Sequence, residues 1–419
     1  MKKLFAAILA LGLIIAVSGT ASAVDVKFGG SYYVVGVYDD RPSLNEDTPY
    51  SRAYFFQRIR LQPVFKIAEG LTFTARMDGM EGNWQTARTN LNGNLANFDW
   101  ERGYVTFKTG LGQIDVGYQP AGMWGTDFAD TDSTTPRIKF ATKYGPLTLI
   151  AIYEKLVEDN INVLTPTTRR ADADSAVYYL ASIYNFKGGA AGVLYGYIND
   201  ASKRPALGYR SSKQILYPYM QATFGSVYVE AELNYIFGKS KEFDGAGASQ
   251  DYDGLGAYLM AKTNFGPATV GAQIGWSRGD DITTADDESG PGKGNNWDPA
   301  LILLCEDLFT WSGGDTNTKR SKDSNFLLVK VFADYKVTPK FSVGAAITYA
   351  KLDKDLVANQ VSKDLGTEFD ITATYKLYDN LTYMVGAGYL WAGDSYKGAN
   401  AAAKVDNDYI LMNKLTLSF

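Results

Sequence analysis

The chain has 419 residues, 41 Lys and Arg against 46 Asp and Glu, a formal charge of −5, no histidine and one cysteine, Cys305. Without histidine there are no Ser–His or Cys–His nucleophile pairs, no His-ligated zinc and no c-type haem attachment, and a single cysteine leaves no disulfide framework. The acidic balance disfavours a nucleic-acid partner.

Residues 1–23 open with Met1-Lys2-Lys3, continue through the apolar run LFAAILALGLIIAV and end on the small-residue stretch SGTASA. This order predicts a secretory signal peptide cut after Ala23, at Ala21-Ser22-Ala23. The run is too short for a membrane anchor, and Val24 rather than cysteine follows the cut, which excludes a lipoprotein. Losing Lys2 and Lys3 with the peptide takes the formal charge from −5 to −7.

From Val24 onward apolar and polar residues alternate. In FQRIRLQPVFKI, Ile59, Leu61 and Phe65 alternate with Arg58, Arg60, Gln62 and Lys66; in LTFTARMDG, Leu71, Phe73, Ala75 and Met77 alternate with Thr72, Thr74, Arg76 and Asp78. SVYVEAELNYIF and EFDITATYKLYDN repeat the pattern, with Glu230, Glu232, Glu368 and Asp370 on the polar side. Strands are predicted at 24–40, 52–67, 71–82, 98–108, 112–119, 136–144, 147–155, 175–186 and 190–199. They continue at 213–224, 227–238, 251–264, 268–279, 323–337, 341–352, 366–377, 381–393 and 406–419, eighteen in all, with sixteen as the alternative.

Strands of soluble sheets run about 5–6 residues. Runs of ten or more with charges on the second face suit a tilted strand crossing a bilayer around water. Short links at 68–70, 109–112, 144–146, 187–189, 224–226, 265–267, 338–340 and 378–380 alternate with long polar segments at 41–51, 83–97, 120–135, 156–174, 200–212, 239–250, 280–322, 353–365 and 394–405. Aromatic residues gather near strand ends: Tyr38, Tyr153 and Trp391 toward the long links, Phe65, Phe186 and Phe341 by the short ones. The expected fold is therefore all-β: a transmembrane antiparallel up-and-down β-barrel over 24–419, with short periplasmic turns and long external loops. The segment ALILLCEDLFTW (300–311), inside the long external loop 280–322, fits a loop helix, a strand folded into the mouth or an extra barrel strand; an inward-folded loop is the preferred reading. GPGKG (290–294) reads as flexible loop, Cys305 as a small apolar residue, and DDITTADDE as a solvated acidic run.

The last strand ends DYILMNKLTLSF, with Tyr409, Leu411, Leu415, Leu417 and Phe419 on one side, interrupted by Asn413. This resembles the C-terminal signature of Gram-negative outer-membrane barrels, whose assembly machinery recognises the terminal Phe, and the whole mature chain resembles a Gram-negative porin. The resemblance implies a water-filled outer-membrane channel for passive diffusion of ions and small hydrophilic solutes, in contact with outer-membrane lipid and lipopolysaccharide, with a possible homotrimeric assembly. It implies no cofactor, metal or catalytic residue. Porins fold their third external loop into the lumen. Here that loop is 119–137, with Asp127, Asp130 and Asp132 resembling an acidic constriction, although the family's usual Pro-Glu-Phe-Gly-Gly is absent. Arg58, Arg60, Arg76 and Arg102, with Arg137 and Lys139 two strands later, offer an inward cationic wall for the loop to face across the pore. The alternative is that these cations pair with Asp78, Asp99, Asp115 or Glu101 as lumen bridges. Glu230 and Glu232 read as wetted lumen groups.

Rival functions are a substrate-specific channel for a sugar, amino acid or carboxylate, an outer-membrane hydrolase, a plugged receptor, and a cytochrome sheath or adhesin scaffold. The missing histidine argues against the hydrolase, and a first strand at Val24 leaves no room for a plug domain.

Overall fold

A sheet with one apolar and one polar face can cross lipid only when its edges meet, because hydrocarbon satisfies no backbone hydrogen bond. The computed structural model describes residues 24–84, 98–158, 173–305 and 324–419. The signal-peptide reading over 1–23, most of the segments 83–97 and 156–174, and residues 306–322 lie outside the described residues.

The strands are β1 (Asp25–Asp39), β2 (Arg52–Ala68), β3 (Leu71–Asn83), β4 (Asp99–Lys108), β5 (Gln113–Ala121) and β6 (Ser133–Tyr144). Next come β7 (Leu147–Val157), β8 (Ser175–Phe186), β9 (Gly189–Asp200), β10 (Tyr209–Phe224), β11 (Val227–Phe243) and β12 (Gln250–Phe265). The barrel is completed by β13 (Ala268–Ser277), β14 (Phe326–Thr338), β15 (Phe341–Lys351), β16 (Asp364–Tyr378), β17 (Leu381–Ala392) and β18 (Asp408–Ser418). Every strand pairs antiparallel with its sequence neighbours, and β1 also pairs with β18 from Ser31↔Ser418 to Asp39↔Ile410. The barrel is closed with eighteen strands, and the sixteen-strand alternative falls away.

The largest departures from the expected boundaries are in the β10–β11 hairpin, which extends beyond 213 and 238. There the extension is held by charge and ring contacts rather than by an apolar face: Arg210 Nε donates to Glu242 at 2.8 Å, and Tyr209 meets Phe243 edge-on at 5.5 Å. Above the hydrocarbon layer a strand has no lipid to face, so its alternation disappears from the sequence.

Outward rings pair across strands at both rims. Tyr38–Tyr409 and Tyr153–Tyr178, at 5.8 and 5.3 Å, mark the long-loop end; Phe65–Phe73 and Phe341–Tyr375, at 5.9 and 6.4 Å, mark the short-turn end. Amphipathic rings favour such interfaces. The seam is closed by Phe419 itself, whose N–H donates to Gly30 O at 3.0 Å while its carbonyl accepts from Gly30 N–H at 2.8 Å. A Cβ on Gly30 would fall 2.7 Å from the Phe419 ring and 2.5 Å from Arg60 O, so only glycine lets the ring lie over the seam.

The inner face is not uniformly polar. At the long-loop end Val35, Val37, Phe56, Phe326, Leu328 and Ile410 are buried against Trp297, Ile302, Leu303 and Leu304 of the β13–β14 connection. Residues 300–305 form neither helix nor strand; they run as irregular chain packed into the mouth of the barrel.

Candidate pore and constriction

Between β5 and β6 the chain leaves the wall and crosses the lumen. Gly122 and Gly125 turn it with φ of +67° and +76°. Trp124 Nε1 donates to Tyr217 O at 2.8 Å on β10, and the ring meets Tyr219 edge-on at 5.2 Å. Thr126 donates its N–H and its hydroxyl to Glu232 Oε2 on β11, at 2.6 and 2.7 Å. A Cβ at Gly125 would sit 2.6 Å from that same oxygen, so glycine is what lets the loop approach the carboxylate. Thr126 also caps the single helical turn Asp127–Ala129, and Phe128 stacks on Tyr258 at 5.2 Å with Trp297 edge-on at 5.1 Å.

The loop's return is held by charge. Asp132, at φ +41°, lies within 3.2 Å of Arg76 and 3.5 Å of Arg60, and accepts a short hydrogen bond from Arg102 Nη2. Left-handed backbone at a non-glycine residue is tolerated most readily by Asp and Asn and often marks a functional contact. Arg60 also makes a two-pronged bond to Asp78, Nε at 2.8 Å and Nη2 at 2.6 Å. Arg76 lies 3.7 Å from Asp78 and 3.8 Å from Glu101, and Arg58 lies 3.5 Å from Glu81 with its guanidinium 5.1 Å from the Tyr33 ring centre.

This geometry corrects the expectation of a cationic wall facing an acidic loop across open water. Asp132 touches the arginines, and each of the four arginines has at least one carboxylate within ion-pair distance. Arg76 and Arg102 side chains are only 5% and 9% exposed, whereas Arg58 is 27% exposed. Asp127 and Asp130 do not join Asp132 in its contacts with the arginines. Asp127 is exposed at the far end of the loop, and Asp130 is fastened to the β13–β14 connection, where Asn296 N–H donates to its carbonyl at 3.1 Å. Arg137 and Lys139 lie on the loop's other flank: Arg137 pairs with Glu154 and donates to Pro120 O at 2.6 Å, and Lys139 Nζ is 3.6 Å from Asp115.

The two neighbouring aspartates are shifted in opposite directions. At Asp130 burial raises the carboxyl above its ordinary value, against partial relief from the Asp132 N–H and Asn296. At Asp132 burial acts in the same direction, but the Arg102 hydrogen bond and charge, with Arg76, outweigh it and hold the carboxyl below the ordinary value.

Three features of the site are not those expected from sequence. Glu232 is not a wetted lumen group: it is 4% exposed and anchors the β5–β6 loop at Thr126. GPGKG is not free loop, since Gly294 N–H donates to Phe128 O at 2.6 Å and a Cβ there would meet Asp130 O at 2.2 Å. Glu368 is fully buried and accepts the backbone N–H groups of Ile302 and Leu303, each at 2.7 Å, while Lys330 Nζ donates to Pro299 O at 2.6 Å. None of these contacts has a local sequence signal beyond an inward-facing charge. The partners are 65 or more residues apart in the two carboxylate anchors.

A closed barrel with an apolar skin, aromatic rims and charged chain folded into its bore belongs to the class of outer-membrane channels. The sequence model of the Gram-negative porin family matches residues 7–395, and the chain belongs to that family. It is an outer-membrane channel for passive diffusion of ions and small hydrophilic solutes. No curated protein sequence matches it significantly. Among solved structures, Pseudomonas aeruginosa OccK2 (OpdF) in complex with glucuronate superposes with a TM-score of 0.54 at 12% identity, over 94% of this chain and 97% of that one. A BenF-like porin from Pseudomonas fluorescens Pf-5 gives 0.54 at 12% identity over 94% and 99%, and opdK from Pseudomonas aeruginosa gives 0.52 at 13% over 94% and 99%. These likenesses are of fold.

Proposed function

We propose that the segment 119–137 is the constriction of this channel and that its selectivity is set where Asp132 meets Arg60, Arg76 and Arg102, with Arg58 adding charge from the same strand as Arg60. The supporting observation is the convergence of Arg60, Arg76 and Arg102 on one loop carboxylate inside the bore. Asp127 tunes the far rim of the same opening, and Asp130, Arg137 and Lys139 shape its flanks. Permeation is diffusion through water with no bond made or broken, and a solute dipole aligns in the field of these fixed charges. Changing Arg58 and Arg60 together to Ala is expected to move ion preference toward cations. Reversal potentials in a planar bilayer under a salt gradient measure this, and an unchanged potential removes the arginines from the constriction.

A substrate-specific channel is the second reading. It is favoured by two loops narrowing one mouth, and OccK2, which shares the fold, was solved with glucuronate. Assembly as a homotrimer is supported by outward polar groups in the lipid-facing row: Asn413 on β18 breaks an apolar series, and Gln57 accepts from Tyr32 Oη at 3.0 Å and Trp84 Nε1 at 2.9 Å. Outer-membrane lipid and lipopolysaccharide cover the remaining skin, and Phe419 serves as the signal read by the barrel assembly machinery. Residues 1–23 act as the export signal.

A further inference from the structure

The constriction loop does not lie flat on the wall. Behind it, between Gly122–Thr131 and strands β6–β10, is a recess of about 420 Å³. That volume lies within the range of small-molecule sites, roughly 300–1,000 Å³. Its lining is largely apolar. The barrel contributes Ile150, Ile152, Leu194, Ile215, Tyr179 and Tyr217 from inward positions, and the loop closes the far side with Trp124. Such a surface is costly to leave wet and can bind an apolar ring or branched chain.

Two cations border this apolar surface. Arg137 is held by Glu154 and Pro120 O with its side chain 9% exposed, and its Nε is buried without a partner. Lys139 is a third exposed, and its Nζ is 3.6 Å from Asp115, beyond hydrogen-bond length. Asp115 is already supplied by Thr106 Oγ1 at 2.7 Å and Gln113 Nε2 at 2.9 Å, so the ammonium keeps N–H groups to give.

We propose that this recess is a binding site for an amphipathic monoanion, with the apolar body between Trp124 and the β7–β10 wall and the carboxylate on Lys139. The proposal rests on the reading of 119–137 as an inward constriction loop and adds a holding site beside the path of diffusion. A solute retained there is concentrated next to the narrowest point of the channel.

The test is calorimetric titration of the purified full-length barrel in detergent micelles with 3-phenylpropionate, with acetate and 3-phenylpropan-1-ol as controls. Saturable binding is expected for 3-phenylpropionate, and binding at least about tenfold weaker for each control. Lys139→Gln is expected to weaken it by about tenfold or more, and Ala181→Phe, which fills the recess from β8, to abolish it. Equal binding of acid and alcohol, no saturable binding, or binding unchanged in Lys139→Gln overturns the proposal. Ion conductance of the same preparation in a planar bilayer is a separate readout: a conducting barrel that does not bind the probe loses the recess but keeps the constriction.

Discussion

Among the described residues, two stretches of chain enter the bore, and the balance of contacts that holds each of them differs. The β5–β6 loop is fixed by polar contacts at both ends, Thr126 on Glu232 and Asp132 on three arginines. The β13–β14 connection is seated by Trp297, Ile302, Leu303 and Leu304 on an inner wall that is itself apolar, with Glu368 receiving two of its N–H groups. Full burial of one aliphatic side chain is worth about 1.5–3 kcal/mol, so three of them outweigh any single hydrogen bond to a charge, at about 1.5–3 kcal/mol. The first loop can respond to ions and pH at its contacts. The second is a stopper whose seating is largely indifferent to salt.

The most damaging change to this contrast is a charge in the stopper. Leu303→Asp puts a carboxylate beside buried Glu368 and is expected to cost about 3–5 kcal/mol of seating, releasing the connection. Single-channel conductance should rise and protease should cut the connection faster. Unchanged conductance would show that the stopper does not restrict flow. Glu232→Gln follows: exchanging the carboxyl that accepts both Thr126 donors for an amide is expected to loosen the loop's anchoring and to make the current noisier, read as open-channel noise in the same recordings.

Asp132→Asn removes the charge on which Arg60, Arg76 and Arg102 converge, so it is expected both to loosen the loop's return and to free positive charge in the bore. Ion preference then moves toward anions, opposite in sign to the loss of Arg58 and Arg60, and reversal potentials compare the two directly. The smallest effect is that of pH. Asp130 is raised by burial, so its carboxylate form is disfavoured in the fold and protonation relieves a penalty as pH falls; Asp132 is depressed, so its contribution persists to lower pH and is lost only below the ordinary carboxylate range. Acidification should therefore neutralise Asp130 before Asp132 and shift preference slightly toward anions. Asp130→Asn should flatten that step in a reversal-potential series against pH.

The architecture was legible because period-two alternation is local: each strand declares its own two faces, and the count of eighteen needs no long-range knowledge. The inward parity of Arg58, Arg60, Arg76 and Arg102 was legible for the same reason. Their pairing with Asp78 and Glu101 was legible as the alternative to an open wall, but the shared partner was not, since nothing near Arg76 announces an Asp132 lying 56 residues on. The stopper did leave a trace. In SYYVVGVY of β1 and FLLV of β14 both faces are apolar, which a water-lined barrel does not need, and the inner members Val35, Val37, Phe326 and Leu328 are those that the connection covers. A barrel strand apolar on both sides is a sign that something dry lies within.

The ladder joining β1 to β18 has a kinetic meaning. Seventeen of the eighteen pairings connect neighbours along the chain and can zip as successive hairpins, while this one brings together residues separated by almost the full length of the polypeptide. Its entropic cost is met only once the intervening hairpins have formed and brought the two edges together, so it is the natural last step of insertion. Until Gly30 and Phe419 meet, two long unsatisfied backbone edges lie open, and a catalyst of insertion would have to shelter them.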